Sequence, residues 1–195
     1  MNRFILLAML ALLSTKVSAT QFGLEPGTSL ADLKKIVNLK EEKPYIYSAS
    51  SLPNGNSSFD DYRLLITPQD GLCKIVAWTP EISSNSFGEA VEAKFDDLFE
   101  ALTNKYGNSK KFDFLRSGSI WDEPEDWMMG LVKDDRTLVA YWDEEEHSTL
   151  PTELNAIMLK AIGVDPNTAL ISLSYEFSNF RKCNGWIKSQ QNSSL

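Results

Sequence analysis

Histidine is nearly absent: His147 is the only one in 195 residues. Zinc catalysis usually draws on two or three histidines with carboxylate help, so one imidazole cannot build that centre. No H-E-x-x-H string occurs. A Ser-His-Asp relay would have to use the same residue, and no G-x-S-x-G elbow accompanies it. The nearest string, SGSIW at 117–121, misses the pattern. Phosphate cradles are missing too, since neither G-x-x-x-x-G-K-[ST] nor G-x-G-x-x-G is present. No cofactor is expected on these grounds.

Positive charge is the second scarcity. The chain carries 19 basic and 27 acidic residues, a formal net charge of −8. A field of that sign repels phosphate backbones and anionic membrane surfaces, which leaves nucleic acid a poor partner. Basic proteins, cations and neutral ligands remain.

Long apolar runs are lacking beyond the first residues. The opening MNRFILLAMLALLSTKVSAT has Arg3, a ten-residue apolar stretch Phe4–Leu13, and Val17-Ser18-Ala19. That is the layout of a secretory leader, with cleavage expected after Ala19. The stretch is short of the roughly 20 residues a membrane span needs. Thr20 follows, so no lipid-accepting cysteine stands at the cut. Loss of residues 1–19 removes Arg3 and Lys16 and leaves 17 basic against 27 acidic residues, net −10. The expectation is a periplasmic or secreted chain, 20–195, forming a single domain, with two related halves at 20–107 and 108–195 as an option.

Cysteine is limited to Cys73 and Cys183. In an exported protein two is the number for one bridge. It would close about 110 residues and stabilise by about 4 kcal/mol in the chain-entropy picture. Two buried free thiols are the alternative.

What is present is a succession of short elements. Ser29 and Asp32 fit a capping box, and Leu30, Leu33, Ile36 and Val37 share a face, which predicts a helix at about 29–38. KPYIYSAS could be a strand, and SSLPNGNSSFD (51–60) is loop by composition. Tyr62 to Thr79 reads as a hairpin turning at Pro68–Gly71. It sets Cys73, Ile75 and Ala77 on one face and Leu72, Val76 and Trp78 on the other. Ser86 and Glu89 open the strongest helix, whose stripe of Phe87, Val91, Phe95, Leu98, Leu102 and Tyr106 ends at Gly107. KFDFLR (111–116) reads as a strand, and DWMMGLV with TLVAYWD as a second hairpin. A helix is expected at about 151–162 on Leu154, Ile157, Met158 and Ala161. ALISLSYEF (169–177) is a strand, and Ser178 could cap a last helix carrying Phe180, Cys183 and Ile187. The sum is an α+β fold: two β-β-β-α-like units with antiparallel strands in one sheet or two related ones, and helices packed on one side.

The stretch 118–147 gathers ten carboxylates, three tryptophans and His147. In the hairpin reading its open end brings Trp121, Trp127 and Trp142 together with Asp122, Glu123 and Asp143. Those six are the candidate binding residues, for a protein partner with a basic surface. The competing reading is that Trp127, Met129 and Leu131 face the core, since alternation buries one face whatever the function. Charged residues also guard strand edges. A glycosidase would need two carboxylates about 5–10 Å apart beside a stacking aromatic, and nothing fixes such a pair. Calcium would need loop-spaced oxygens, and WDEPED and WDEEEH lack that spacing. No metal site and no catalytic residue is therefore assigned. Asn56-Ser57-Ser58 and Asn192-Ser193-Ser194 match the glycosylation sequon. The leader is of brief bacterial type, so no sugar is expected on them.

The start of the expected mature chain, FGLEPGTSLADLKKI, resembles the G-I-x-x-G-M-T-x-x-E-V opening of small bacterial envelope proteins of the SmpA/OmlA type. The same motif is similar to the first helix of the β-lactamase-inhibitor-protein-like fold. Gly23, Leu24, Gly27, Thr28-Ser29 and Leu33 stand at the matching places, over about fifteen residues. The resemblance implies helices against an antiparallel sheet, with duplication as an option, used to bind proteins. The chain departs from the family in its length and in lacking the lipid-accepting cysteine. The expectation is an exported binding protein without catalysis. The alternatives are an inhibitor or immunity protein of a basic enzyme, and a carbohydrate-active hydrolase using paired carboxylates.

Overall fold

A computed structural model describes residues 20–192; the expected leader, 1–19, and the serines of the second sequon lie outside them. The elements are α1 (Leu30–Ile36), β1 (Lys40–Lys43), β2 (Ile46–Ala49), β3 (Asp61–Thr67), β4 (Gly71–Trp78), β5 (Ile82–Ser83), α2 (Glu89–Tyr106), β6 (Lys110–Leu115), a 3-10 turn (Pro124–Asp126), α3 (Trp127–Val132), β7 (Arg136–Trp142), β8 (Leu154–Asp165), β9 (Thr168–Phe177) and α4 (Phe180–Asn192). The strands form one antiparallel sheet in the order β1-β2-β3-β4-β9-β8-β7-β6, with β5 on β9. The fold is α+β. A helix followed by four strands occurs twice, α1 with β1–β4 and α2 with β6–β9, and the two sets meet along β4–β9.

Strand register sorts the side chains into two faces. One row runs Tyr47–Leu64–Ile75–Tyr175–Ile157–Trp142, and the next runs Ala49–Tyr62–Ala77–Leu173–Leu159–Ala140. All twelve are buried and belong to one apolar core with Val91, Phe95, Leu98, Leu102 and Tyr106 of α2. Burial of this many large side chains on one sheet face is the main source of stability. Phe22 ties the N-terminal strap in, its ring edge-on to Phe59, Tyr62 and Tyr175 at 5.3–5.9 Å between centroids.

The caps follow the sequence in part. Ser29 accepts from the Asp32 amide at 3.1 Å, and its hydroxyl donates to the Asp32 carboxylate at 2.8 Å. The long helix starts later than its Ser86 signal, at Glu89 after a left-handed Gly88. Ser84 accepts from the Ala90 amide at 3.1 Å and Asn85 from the Glu89 amide at 3.3 Å, which satisfies free helix donors.

Two elements differ in type. The helix expected at 151–162 is strand β8. Leu154, Ile157, Leu159 and Ala161 are buried, and from Ile157 onward the burial alternates. Those apolar residues fit either period, and pairing with β7 and β9 on both sides decides for strand. The first strand of the expected second hairpin is helix α3. Trp127, Met128 and Leu131 are buried while Met129 is only half-buried, so the period is helical.

Helices α1, α2 and α3 lie against the core face. The last helix, α4, occupies the other one. The row Ile46–Leu65–Lys74–Glu176–Ala156 points away from α2. Phe180 of α4 lies 5.1 Å from the Lys74 ammonium, and Ile187 shares a cleft with Ile46 and Leu65. The expectation of helices on one side thus holds for three of the four described. Cys73 sits at a bulge in the β3–β4 ladder, where Leu65 pairs with Lys74 but Ile66 with Leu72. The extra residue turns Cys73 towards α4, and it is bonded to Cys183. Both cysteines are buried, and Thr67 lies beside them, 3.7 Å from the Cys183 sulfur. No described helix is long and apolar enough to cross a membrane.

Candidate functional site

The stretch 118–147 does not form one patch. Trp127 packs on Gly88 at the N-terminus of α2: a Cβ built there would stand 2.1 Å from the indole. The turn after β7 is held at the other end of that helix, where the Thr149 amide donates to the Tyr106 carbonyl at 2.6 Å. α2 has 18 residues and is therefore about 27 Å long. The acidic group at 122–126 and the one at 143–146 sit at opposite ends of that span. The expected hairpin, with its gathered open end, is replaced by a helix and a strand that separate them.

The six candidate residues divide accordingly. Trp142 is fully buried against Phe99, and Trp127 is 6% exposed. Neither offers a surface to a partner, and their place in a recognition patch is corrected to core. Asp122 and Glu123 are exposed, and Trp121 and Asp143 are half-buried. The Trp121 amide donates to the Ser119 hydroxyl, which in turn donates to Asp135 at 2.8 Å. Asp135 is buried and also ion-paired with Arg116, so this carboxylate organises the 116–121 loop. The Asp143 carboxylate accepts from the Glu146 amide at 3.0 Å and shapes its own turn. His147 is exposed there, with a left-handed backbone (φ 56°). Among the described residues, no group of three His, Cys, Asp or Glu side chains is placed to hold a metal ion.

A different surface emerges from the register. On the face away from α2, one row runs Val76–Ser174–Met158–Tyr141–Lys110 and the next runs Trp78–Ser172–Lys160–Val139–Phe112. Ile162 with Leu170 and Thr137 with Phe114 continue the pattern. Among the described residues, α4 covers the β2–β4 corner of this face, at Ile46, Leu65 and Lys74, and stops short of these rows. Trp78, Val76, Met158, Lys160, Tyr141 and Phe112 stay half-buried, and Phe114 is 51% exposed. Ser172 and Ser174, small and central, make a low floor between Trp78 and Val76 on β4 and Met158 and Lys160 on β8. Phe112 meets Tyr141 edge-on at 6.2 Å, and Arg63 lies 5.6 Å over Trp78. These contacts hold the rings in fixed orientations.

Sequence reasoning set Val76 and Trp78 on one side of β4 and left that side without a role. The signal was available in the F-D-F alternation of β6 and the Y of T-L-V-A-Y-W. Which side α2 covers, however, is a matter of contacts far apart in the chain.

The electrostatics of this face are specific. Lys74 pairs with Glu176 at 2.9 Å, Arg63 with Asp61, and Lys110 with Glu146 at 3.5 Å. Lys160 has no ion-pair partner among the described residues. The rows from β4 to β6 contain no carboxylate. On the core side, burial raises the Glu92 carboxyl, helped by the charge of Asp113. Asp113 itself pairs with Arg136 at 2.7 Å. Burial also pushes the Tyr175 phenol well up, with Tyr106 beside it. No family model, curated protein or solved structure matches the chain, so the likeness of its opening residues to envelope proteins stands on those residues alone.

Proposed function

We propose that the chain is an exported binding protein that acts through contact with another protein and performs no chemistry, with the open sheet face as its contact surface. The observation that carries this reading is the pair of rows across β4–β9–β8–β7–β6. They hold Trp78, Tyr141 and Phe112 accessible, in fixed orientations, on a rigid sheet. Aromatic side chains of this kind dominate binding energy at protein interfaces. The Cys73–Cys183 bond is compatible with an oxidising compartment, in keeping with the leader-like opening.

A hydrolase would want two carboxylates facing one another across a cleft. Glu92 is the carboxylate whose protonation burial favours, and it lies on the helix side of the sheet near Arg136 and Lys111 rather than among the aromatics of the open face. That placement favours a role in packing.

The test is affinity capture from an envelope extract with the tagged chain Thr20–Leu195. Two folded controls accompany it: Trp78→Ala/Tyr141→Ala on the open face, and Trp121→Ala/Asp122→Ala on the acidic loop. A protein held by the wild type and by the loop variant, and lost from the open-face variant, is the expected result. Loss from the loop variant alone would move the contact surface to 121–126 and sink the open-face assignment.

A further inference from the structure

We propose that the open face receives an acidic partner: a loop of another protein that sets a carboxylate at Lys160, with apolar side chains over Trp78 and Tyr141. This rests on the open-face reading and adds the chemistry of the partner. The whole-chain charge suggested a basic partner, but the local pattern is the reverse. In a chain with 27 acidic residues, the rows from β4 to β6 hold none. Of the carboxylates at the margins of the face, Asp61 is engaged by Arg63, Glu176 by Lys74 and Glu146 by Lys110, while Asp60 and Glu81 stand beside Trp78 and Leu170 at the β4 margin, outside the rows. Lys160 is the cation left over, and it stands in the middle, between Val139 and Ser172 in register.

The position decides what the charge does. Lys160 is half-buried between Val139 and Ser172, an arrangement in which a lysine lays its aliphatic stem along the sheet and keeps its charged end towards water. Ser172 beside it is 4% exposed, and its hydroxyl donates to the Lys160 carbonyl at 3.4 Å. The site is therefore a low floor with one cation at its edge and aromatic side chains around it. A carboxylate arriving there with apolar neighbours would be desolvated as the apolar groups bury, and a single uncommitted cation then gives orientation as well as attraction. A basic loop would instead bring like charge onto Lys160 and have no carboxylate within the rows to answer it. Charges separated by more than about 8 Å are screened at physiological salt, so the groups carried by the rows themselves set the field felt at Lys160.

The probe is a phage library of short disulfide-closed peptide loops, selected on tagged Thr20–Leu195 and on folded Lys160→Glu, Lys160→Met and Trp78→Ala/Tyr141→Ala variants. Circular dichroism and thermal melts qualify each variant. Wild type is expected to enrich loops with Asp or Glu beside an aromatic or aliphatic residue. Those loops should bind Lys160→Met and Lys160→Glu at least about tenfold more weakly, and Lys160→Glu should enrich Lys or Arg loops instead. Loops that need Trp78 and Tyr141 but ignore the charge at 160 would sink the acidic partner and leave the open face standing. Loops that need neither, or no enrichment on wild type, would sink both. A concentration-dependent dimer in sedimentation, abolished by Lys160→Glu, would put a second copy's own acidic turn on the face and overturn the separate partner.

Discussion

The indole of Trp142, last residue of β7, packs against the ring of Phe99 on α2 with centroids 5.6 Å apart. It is fully buried, in the row of core residues that crosses the whole sheet. Trp142→Ala should therefore cost about 3–5 kcal/mol of stability. Among the described residues the buried indole N–H finds no partner, so Trp142→Phe, which removes that group, should cost well under the alanine change. Trp121→Ala, on the half-buried loop, should cost under about 1 kcal/mol. Urea titrations of the three variants check this, and equal losses for Trp121→Ala and Trp142→Ala would contradict the division of the tryptophans.

Gly163 in β8 lies under α3. A Cβ there would come within 2.6 Å of the Val132 amide nitrogen and 2.8 Å of its Cα, which are backbone atoms that cannot swing aside. Gly163→Ala should lower stability by about 1–3 kcal/mol, or about 2–4 °C in melting temperature per kcal/mol. Gly185, inside α4, has open space around it. Gly185→Ala should raise stability by about 0.5–1 kcal/mol through helix propensity. Melting curves that move the same way for both would argue against the α3–β8 approach.

The bond between Cys73 and Cys183 spans 110 residues. Removing it with Cys73→Ala/Cys183→Ala should cost about 2–5 kcal/mol. Because α4 is pinned to its face of the sheet chiefly there, limited proteolysis should cut within 180–192 first in the variant. Cleavage that begins elsewhere would mean that Phe180, Trp186 and Ile187 hold the helix unaided.

Glu92 carries a pH dependence whose sign is fixed by its raised pKa. A folded-state pKa above the unfolded value means the native state holds more protons between the two values. Stability from this residue is therefore complete below the ordinary carboxylate range and is lost as pH rises through the folded pKa. Glu92→Gln should be more stable than wild type at neutral pH, and the gap should close in acid below the ordinary glutamate range. Denaturant midpoints across that interval read the effect directly. A gap that widens in acid would mean that Lys111 and Arg136 dominate.

The first hairpin and α2 were legible because their periods are unambiguous. Tyr62, Leu64 and Ile66 alternate, and Val91, Phe95, Leu98 and Leu102 recur at helical spacing. The partnership of Cys73 and Cys183 was legible by number alone. β8 was not, since Leu154, Ile157, Met158 and Ala161 satisfy a helix as well as a strand until neighbours on both sides claim their backbone. α3 was hidden by Trp127, Met129 and Leu131, whose spacing mimics alternation while Met128 is the one fully buried. The acidic tryptophan-rich stretch drew attention by composition, which says nothing of distance, and α2 lies between its parts. The open face was out of reach for a similar reason: each strand announces two sides, and only the packing of α2 across β8 and β9 chooses which one remains uncovered.

The seam between β4 and β9 sets an order of events for the growing chain. Ile75 meets Tyr175 and Val76 meets Ser174 across it, partners about 100 positions apart. Until residues 168–177 have been made, β4 is the bare margin of a four-stranded fragment, with its amides and carbonyls free to pair with any extended chain. Contacts this remote in sequence slow the search for the native state. The fragment 20–107, made alone, should therefore be prone to clump, and a synthetic strand copying residues 168–177 is the natural agent to keep it in solution.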